Sequence, residues 1–376
     1  MLRRAGIAVV KTAVLLMTAC FVLLNLSIHL FRPPELPELE PLAHEAGIAA
    51  IPLRFPPAAE PEEIPEPEPE FFVITMIGDC TLGAEHYSKG GAWSYERVVG
   101  DDYAYPFAET RHVFEGSDFT IANLECALTD YDVHSARTFN FRARPEAAQI
   151  LSEGGVHFVS LANNHAIDYG DIGYDDTKAA LDDAGISYVC RDEGVLYTTG
   201  SGLTIGIYGA SFSYTHLIEA GIKDLREQGA EFVIAALHWG VEGWYKSSDI
   251  QRPQGRAAID AGADIVMGTH PHTLQEIEAY HGGYIYYSLG NFTFGCNSNP
   301  RDKDAVIVRL TVMRDVDGAV SLVDTELIPI AVSGNPNANN YQPVLYEAGS
   351  AEYERVLSKL DGSFSGPGLS IEYSYP

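Results

Sequence analysis

The chain has 376 residues, 46% of them hydrophobic, enough for one large domain or two ordinary ones with a full core. Its formal net charge of -28 excludes the basic footprint that a sequence-independent nucleic-acid binder needs, so no nucleic-acid partner is expected. A polyanionic partner would have to be met by a metal ion or a local basic patch rather than by the overall field.

Arg3, Arg4 and Lys11 precede an almost unbroken apolar run at residues 12–31, interrupted by Asn25, His29 and small hydroxyl residues. About 20 such residues span a bilayer as a helix, and the basic residues before them place the N-terminus in the cytoplasm. Residues 1–32 therefore predict a cytoplasmic N-terminus and a transmembrane signal anchor, with the globular domain outside the cytoplasm. The competing reading is a cleaved signal peptide, whose apolar core is usually shorter. Met17-Thr18-Ala19-Cys20 faintly resembles a lipoprotein processing site, but the apolar run continues past Cys20. Residues 33–70 alternate prolines with glutamates. Proline removes amide donors and like charges repel, which predicts an extended, disordered linker acting as a stalk.

The globular part opens at Phe71. Apolar runs predict strands at residues 71–77, within 113–124, and at 156–161, 203–208, 232–237, 265–267 and 284–289. Helical patterns fall at residues 145–153, 175–184, 217–229 and 254–261. This alternation predicts an α/β fold with a mostly parallel sheet covered on both faces. Residues 305–313 and 320–329 read as strands around Asp317-Gly318, a hairpin signal, and residues 352–360 as a helix. The main domain is placed at residues 71–330, with residues 331–376 as a C-terminal extension packing on it.

Polar residues follow these strands in order: Asp79, Glu125, Asn164, His238 and the pair His270/His272. Open α/β sheets gather ligands at the C-terminal ends of their strands. Pro271 fixes its own φ and biases Thr269 and His270 toward an extended backbone, so two imidazoles stand on a stiff loop suited to a metal ion. Carboxylates offset the cation charge, and one carboxylate can bridge two ions. His165 would lie beside such a site, placed to protonate a leaving group. Asp168 and Tyr169 follow it closely and are candidates to orient it, while Glu242 and Asn291 are candidates to orient ligands. Arg142 and Arg144 suit an anionic substrate or simple surface solubility. Cys80 and Cys126 follow Asp79 and Glu125 directly. They read as buried thiols, with a disulfide or a thiolate ligand as alternatives.

Gly78-Asp79-Cys80-Thr81-Leu82-Gly83, Asn123-Leu124-Glu125, the run from Ala162-Asn163-Asn164-His165 to Gly170, His238-Trp239-Gly240-Val241-Glu242, Gly268-Thr269-His270-Pro271-His272 and Tyr287-Ser288-Leu289-Gly290-Asn291-Phe292 carry a resemblance. Over roughly residues 71–330 the chain resembles the CapA family of capsule, or poly-γ-glutamate, synthesis proteins. The resemblance implies a calcineurin-like metallophosphatase fold: two packed, mostly parallel or mixed sheets flanked by helices. It implies metal ligation by Asp79, Glu125, Asn164, His238, His270 and His272, with His165 as general acid and Asn123 in a supporting role. One or two divalent ions (Mn, Zn or Fe) are implied. Two departures stand out: Thr81 occupies the position where metallophosphatases carry an imidazole, and the bridging position holds Glu125 instead of aspartate. The function implied is a metal-dependent hydrolase or transferase acting on a capsule polymer or other anionic substrate, with membrane synthase or export subunits as partners. The alternative is a non-catalytic, metal-containing polymer-binding or assembly subunit.

Overall fold

A computed structural model describes residues 68–85 and 94–369. The predicted anchor and almost all of the linker lie outside the described residues. Among the described residues, no helix is long and apolar enough to cross a membrane.

The first strands in chain order are β1 (Glu70–Thr81), β2 (Ala84–Glu85), β3 (Phe119–Leu124), β4 (Ala127–Leu128), β5 (Phe141–Ala143), β6 (Phe158–Ser160), β7 (Ser187–Val189) and β8 (Glu193–Thr198). They are followed by β9 (Thr204–Ser211), β10 (Phe232–His238), β11 (Ile265–Thr269), β12 (Ile277–Tyr280), β13 (Gly283–Tyr286) and β14 (Asn291–Phe294). The last are β15 (Asp304–Arg314), β16 (Val320–Ala331) and β17 (Val344–Leu345).

Two large sheets form, as the family resemblance implies; the alternation of strands and helices by itself predicts only one. The first runs β17-β16-β15-β1-β3-β6-β7, with β14 also paired to β1. The second runs β12-β13-β11-β10-β9-β8. Both are mixed. In the first, β1, β3, β6 and β7 are parallel while β15 and β16 are antiparallel. In the second, β9, β10, β11 and β13 are parallel, and β8 and β12 close the edges antiparallel. Beside them, β2, β5 and β4 make a small third sheet.

The sheets pack face to face because strand side chains alternate. Phe72, Ile74 and Met76 of β1 share one core with Ile205 and Ile207 of β9, Ile234 of β10 and Met267 of β11. The opposite faces are covered by helices. Ile150 and Leu151 of helix Ala148–Glu153 and Leu181 of helix Gly170–Asp183 cover the first sheet. Ile218, Ile222 and Leu225 of helix Thr215–Glu227 and Ala258 of helix Gln251–Asp260 cover the second. The result is a helix–sheet–sheet–helix sandwich.

Most expected elements appear near their predicted bounds. Strand β1 differs: it runs through Gly78-Asp79 to Thr81, where its pairing with β3 and with β14 shifts register. The polar motif is thus inside an irregular strand end, not in a turn beyond it. The strand expected within 113–124 is β3, at Phe119–Leu124, and a short helix, Arg111–Phe114, precedes it. The run expected at 284–289 stops at Tyr286, and Asn291 begins β14 in the other sheet. The crossing requires glycine. A Cβ on Gly78 would sit 1.9 Å from the Gly290 carbonyl oxygen, an approach that only a missing side chain permits. The C-terminal helix Ala351–Leu360 buries Val356 and Leu360 in the core between the sheets.

Candidate metal centre

The ends of β1, β3, β6, β10 and β11 converge. Asp79 is fully buried; its Oδ1 accepts from Asn123 Nδ2 at 2.7 Å, and its Oδ2 accepts the His270 backbone N–H at 3.3 Å. Glu125 follows β3, held by its own N–H on the Cys80 carbonyl at 2.8 Å. His238, the last residue of β10, has Nδ1 3.0 Å from Thr269 Oγ1. Its Nε2 lies 2.6 Å from Asn164 Oδ1, 3.1 Å from His270 Nδ1 and 3.4 Å from Glu125 Oε1. His272 Nδ1 lies 3.1 Å from Asp79 Oδ2 and 2.9 Å from Asn291 Oδ1, and its Nε2 is 3.8 Å from Glu125 Oε1.

The backbone of the His-Pro-His loop is not extended. His270 and His272 have φ of 97° and 56°, left-handed values that cost a non-glycine residue about 1–3 kcal/mol each. Tertiary contacts hold them there: the His270 N–H is drawn to Asp79, and the Pro271 carbonyl accepts from Gly243 N at 2.8 Å. The proline bias loses to these anchors.

Three groups of side chains offer ligand atoms that all lie within 4.8 Å of one another: Glu125/His238/His270, Asp79/Glu125/His272 and Glu242/His270/His272. Glu125 belongs to two of them, the placement a bridging carboxylate needs. Glu242, expected only to orient ligands, stands among the candidate ligands itself. No cysteine joins these groups among the described residues; Cys80 and Cys126 are buried and unpaired, so the disulfide does not form.

The electrostatics fit a divalent cation. Both Glu125 carboxylate oxygens are buried without a hydrogen-bond partner, and an uncompensated buried carboxylate costs several kcal/mol. Burial, then the Asp79 charge, pushes Glu125 up to about 8. Burial opposes protonation of His272, yet the Glu125 and Asp79 carboxylates prevail and raise it to about 10. Burial works to raise Asp79 as well, but His272 holds it below the usual carboxylate range. A proton on His272 thus does for the carboxylates what a cation would do better. Burial meanwhile pushes His238 down to about 3 and His270 down to about 2, which keeps both in the neutral form that ligates metals.

His165 opens onto the same place. It lines a cavity of about 400 Å³ together with His272, Glu242 and Asn291. Its Nδ1 is 2.6 Å from Asp168 Oδ2, and its ring stacks on Phe141 at 4.0 Å. Asp168 therefore orients His165, whereas the Tyr169 ring lies under Arg142. Nε2 is the nitrogen left to meet a ligand.

Two expectations fail in position. Arg142 and Arg144 are not at this site. Arg142 alternates with Phe141 and Ala143, which face the core, so it projects from the other side of β5, and Arg144 follows the strand's end. There they line a separate cavity of about 380 Å³ with Glu96 and Asp130. Arg142 donates to the Asp130 carbonyl at 3.2 Å, and Arg144 to the Gly100 carbonyl at 2.8 Å. The arginine that does stand beside the site is Arg137, which donates to the Asn164 carbonyl and lies 3.4 Å from Asp168 Oδ1. Its loop position carried no sequence signal. Asn163 was also missed, although it adjoins Asn164. It donates to Asn123 Oδ1 at 3.1 Å and accepts from His165 N at 3.0 Å, tying the supporting asparagine to the general-acid candidate. Thr81, at the position of the absent imidazole, donates to the Glu125 carbonyl at 3.3 Å.

Residues 73–296 match the family model described as bacterial capsule synthesis protein PGA_cap. The capsule biosynthesis protein CapA of Bacillus anthracis is 29% identical over 307 residues, covering 72% of this chain and 70% of that one. The PGA biosynthesis protein CapA of Bacillus subtilis is 28% identical over 285 residues, covering 67% and 71%. Among solved structures, the Haemophilus influenzae NAD nucleotidase superposes with a TM-score of 0.38 at 13% identity, over 78% of this chain and 63% of that one. That likeness is too low to bear on fold or function. The match over residues 73–296, which spans Asp79, Glu125, Asn164, His165, His238, His270 and His272, shows that the chain belongs to the PGA_cap family of bacterial capsule synthesis proteins.

Proposed function

We propose that this chain is a metal-dependent hydrolase or transferase of capsule polymer assembly, acting on poly-γ-glutamate or another anionic polymer. It would work outside the cytoplasm from a single-pass anchor at residues 1–32 and a stalk at residues 33–70, on a calcineurin-like metallophosphatase domain. The observation that carries the reading is the Glu125 carboxylate, wholly buried and unpartnered within 3.4 Å of His238 and 3.8 Å of His272. A bound cation compensates such a group without removing its charge.

In this reading Asp79, Glu125, Asn164, His238, His270 and His272 hold one or two divalent ions, of which Mn, Zn or Fe suit the donor set. Such an ion supplies Lewis-acid chemistry and charge neutralisation at an oxyanion. The chain's own part is then proton transfer and positioning. Asp168 holds His165 Nδ1, so Nε2 is presented to the leaving group and can give it a proton. Phe141 backs the His165 ring and Phe294 the His272 ring, which keeps water from competing at that wall. Asn123 and Asn163 fix Asp79 and the turn bearing His165.

A second reading has an observation of its own. Thr81 is spent on a backbone carbonyl and offers no imidazole, which favours a non-catalytic subunit that binds polymer or synthase partners and uses metal for structure. One experiment separates the two. Purified full-length chain is assayed for bound metal and for hydrolysis of an aryl phosphate ester and a γ-linked glutamate oligomer, beside His165→Ala and His270→Ala. The enzyme reading expects His165→Ala to keep metal and lose turnover, and His270→Ala to lose metal. A metal-loaded wild type inactive on both substrates leaves the assembly reading; a wild type that binds no metal defeats both.

A further inference from the structure

The cavity beside His165 has a mouth that the proposed chemistry leaves unused, and a wall that it uses only to back two imidazoles. Phe139, Phe141 and Phe294 line it, giving an apolar surface suited to methylene groups. Arg301 and Asp302 line both this cavity and a neighbouring one of about 690 Å³, so they stand where the two meet. Among the described residues lining the first cavity, Arg301 is the one side chain with a permanent positive charge.

Its neighbours are committed to the fold. Asp302 accepts from Lys359 Nζ at 2.6 Å, and that lysine is 2% exposed. Lys303 Nζ donates to Asn299 Oδ1 at 2.7 Å and the Pro300 carbonyl at 3.1 Å. Asp304 is taken by Arg355 and Lys359. Within the run Arg301-Asp302-Lys303-Asp304, three side chains are thus clamped, and the backbone on either side of Arg301 is fixed by them. Arg301 is exposed at the junction. A guanidinium has five donors, so it can keep an internal contact and still grip a carboxylate in a two-point fork.

We infer that Arg301 is the specificity-determining residue of this cavity: it binds a carboxylate on the substrate chain, separated from the reacting bond by an aliphatic segment lying on the phenylalanine wall. The inference rests on the reading that this cavity, with His165 as proton donor beside the metal ligands, is the reacting site. A chain with a net charge of -28 repels polyanions at long range, so capture of a carboxylate needs a local cation. The expected ligand is an amide- or ester-linked chain with one carboxylate per repeat, long enough to reach from the first cavity toward the second.

The test is binding, measured by calorimetry on the metal-loaded full chain. The probes are a γ-linked glutamate tetramer and the same tetramer with its free carboxyls amidated. Wild type is expected to prefer the acidic tetramer. Arg301→Gln is expected to weaken the acidic tetramer about tenfold or more while leaving the amidated one nearly unchanged, with Arg301→Lys in between because a single ammonium lacks the fork. Equal affinity of wild type for both tetramers, binding of neither, or equal weakening of both by Arg301→Gln each overturns the inference. Arg301-dependent binding without turnover upholds it and counts against the enzyme reading instead; turnover that is indifferent to Arg301→Gln does the reverse.

Discussion

His165 Nδ1 lies 2.6 Å from Asp168 Oδ2, three residues further along the chain. Asp168 is fully buried and also accepts the Phe141 N–H at 2.8 Å, so one carboxylate sets both the imidazole and the ring stacked on it. If His165 is the general acid proposed above, Asp168→Asn should leave bound metal unchanged and lower turnover on an ester substrate by about 100-fold, within the range for a misaligned general acid. Metal analysis and kcat on the same preparation check this. Undiminished kcat would show that Asp168 serves the fold alone.

Glu125→Gln should act with opposite signs in two conditions. In chelator it removes a buried, unpartnered carboxylate, so the variant should melt no lower than wild type. With divalent ion at about 100 times its Kd, wild type should gain about 2.7 kcal/mol and the variant little or none. Thermal melts with and without chelator decide it. A variant that still gains the full amount would remove Glu125 from the ligand set.

Gly78→Ala tests the crossing of the two sheets. The added Cβ would meet Gly290 O at 1.9 Å, and the adjacent Asp79 N–H donates to that same oxygen at 3.0 Å. Backbone cannot retreat as a flexible side chain can, so about 3 kcal/mol or more should be lost. Metal affinity should fall with it, because Asp79 shifts. Denaturant unfolding that gives a loss below about 1 kcal/mol would mean that β1 and β14 approach less closely than described.

Asp304 gives a pH prediction away from the metal centre. Burial works to raise its pKa, but Arg355 and Lys359 hold it below 3.8. A carboxylate depressed in the folded state contributes stability that is present above its unfolded value and lost as pH falls through its folded one. Asp304→Asn should therefore cost about 3 kcal/mol at neutral pH, as loss of one partner of a buried ion pair does. The gap from wild type should close below about pH 4. A gap that stays constant down to the acid limit would show that packing, not charge, holds the helix Ala351–Leu360 to β15.

Much of the candidate site was legible, because the ability to bind a metal restricts residue type. Asp79, Glu125, Asn164, His238, His270 and His272 each follow or end an apolar run, and each lies in the converged cluster. Strand β1, the hairpin of β15 and β16, and the helices over the second sheet were readable from period and turn chemistry. The arginines were not. Which face of a three-residue strand looks inward depends on the sheet it joins, and one step along a strand reverses the face. Phe141 took the inward place, and Arg142 the outward one. Arg137 and Arg301 sit in loops, where no periodicity reports what a side chain approaches.

The sequence by itself determined the order of elements, the residue types able to bind a cation and the family to which they belong. The tertiary structure decided which strands each sheet takes, that Asn291 starts a strand in the first sheet rather than extending the second, and that His270 and His272 take left-handed backbones. It also decided that Asp79 meets His270 across 191 residues of chain. The reason is range: patterning reports on neighbours within a turn or a strand, whereas these features arise only when the packed sheets bring distant strand ends within hydrogen-bonding distance.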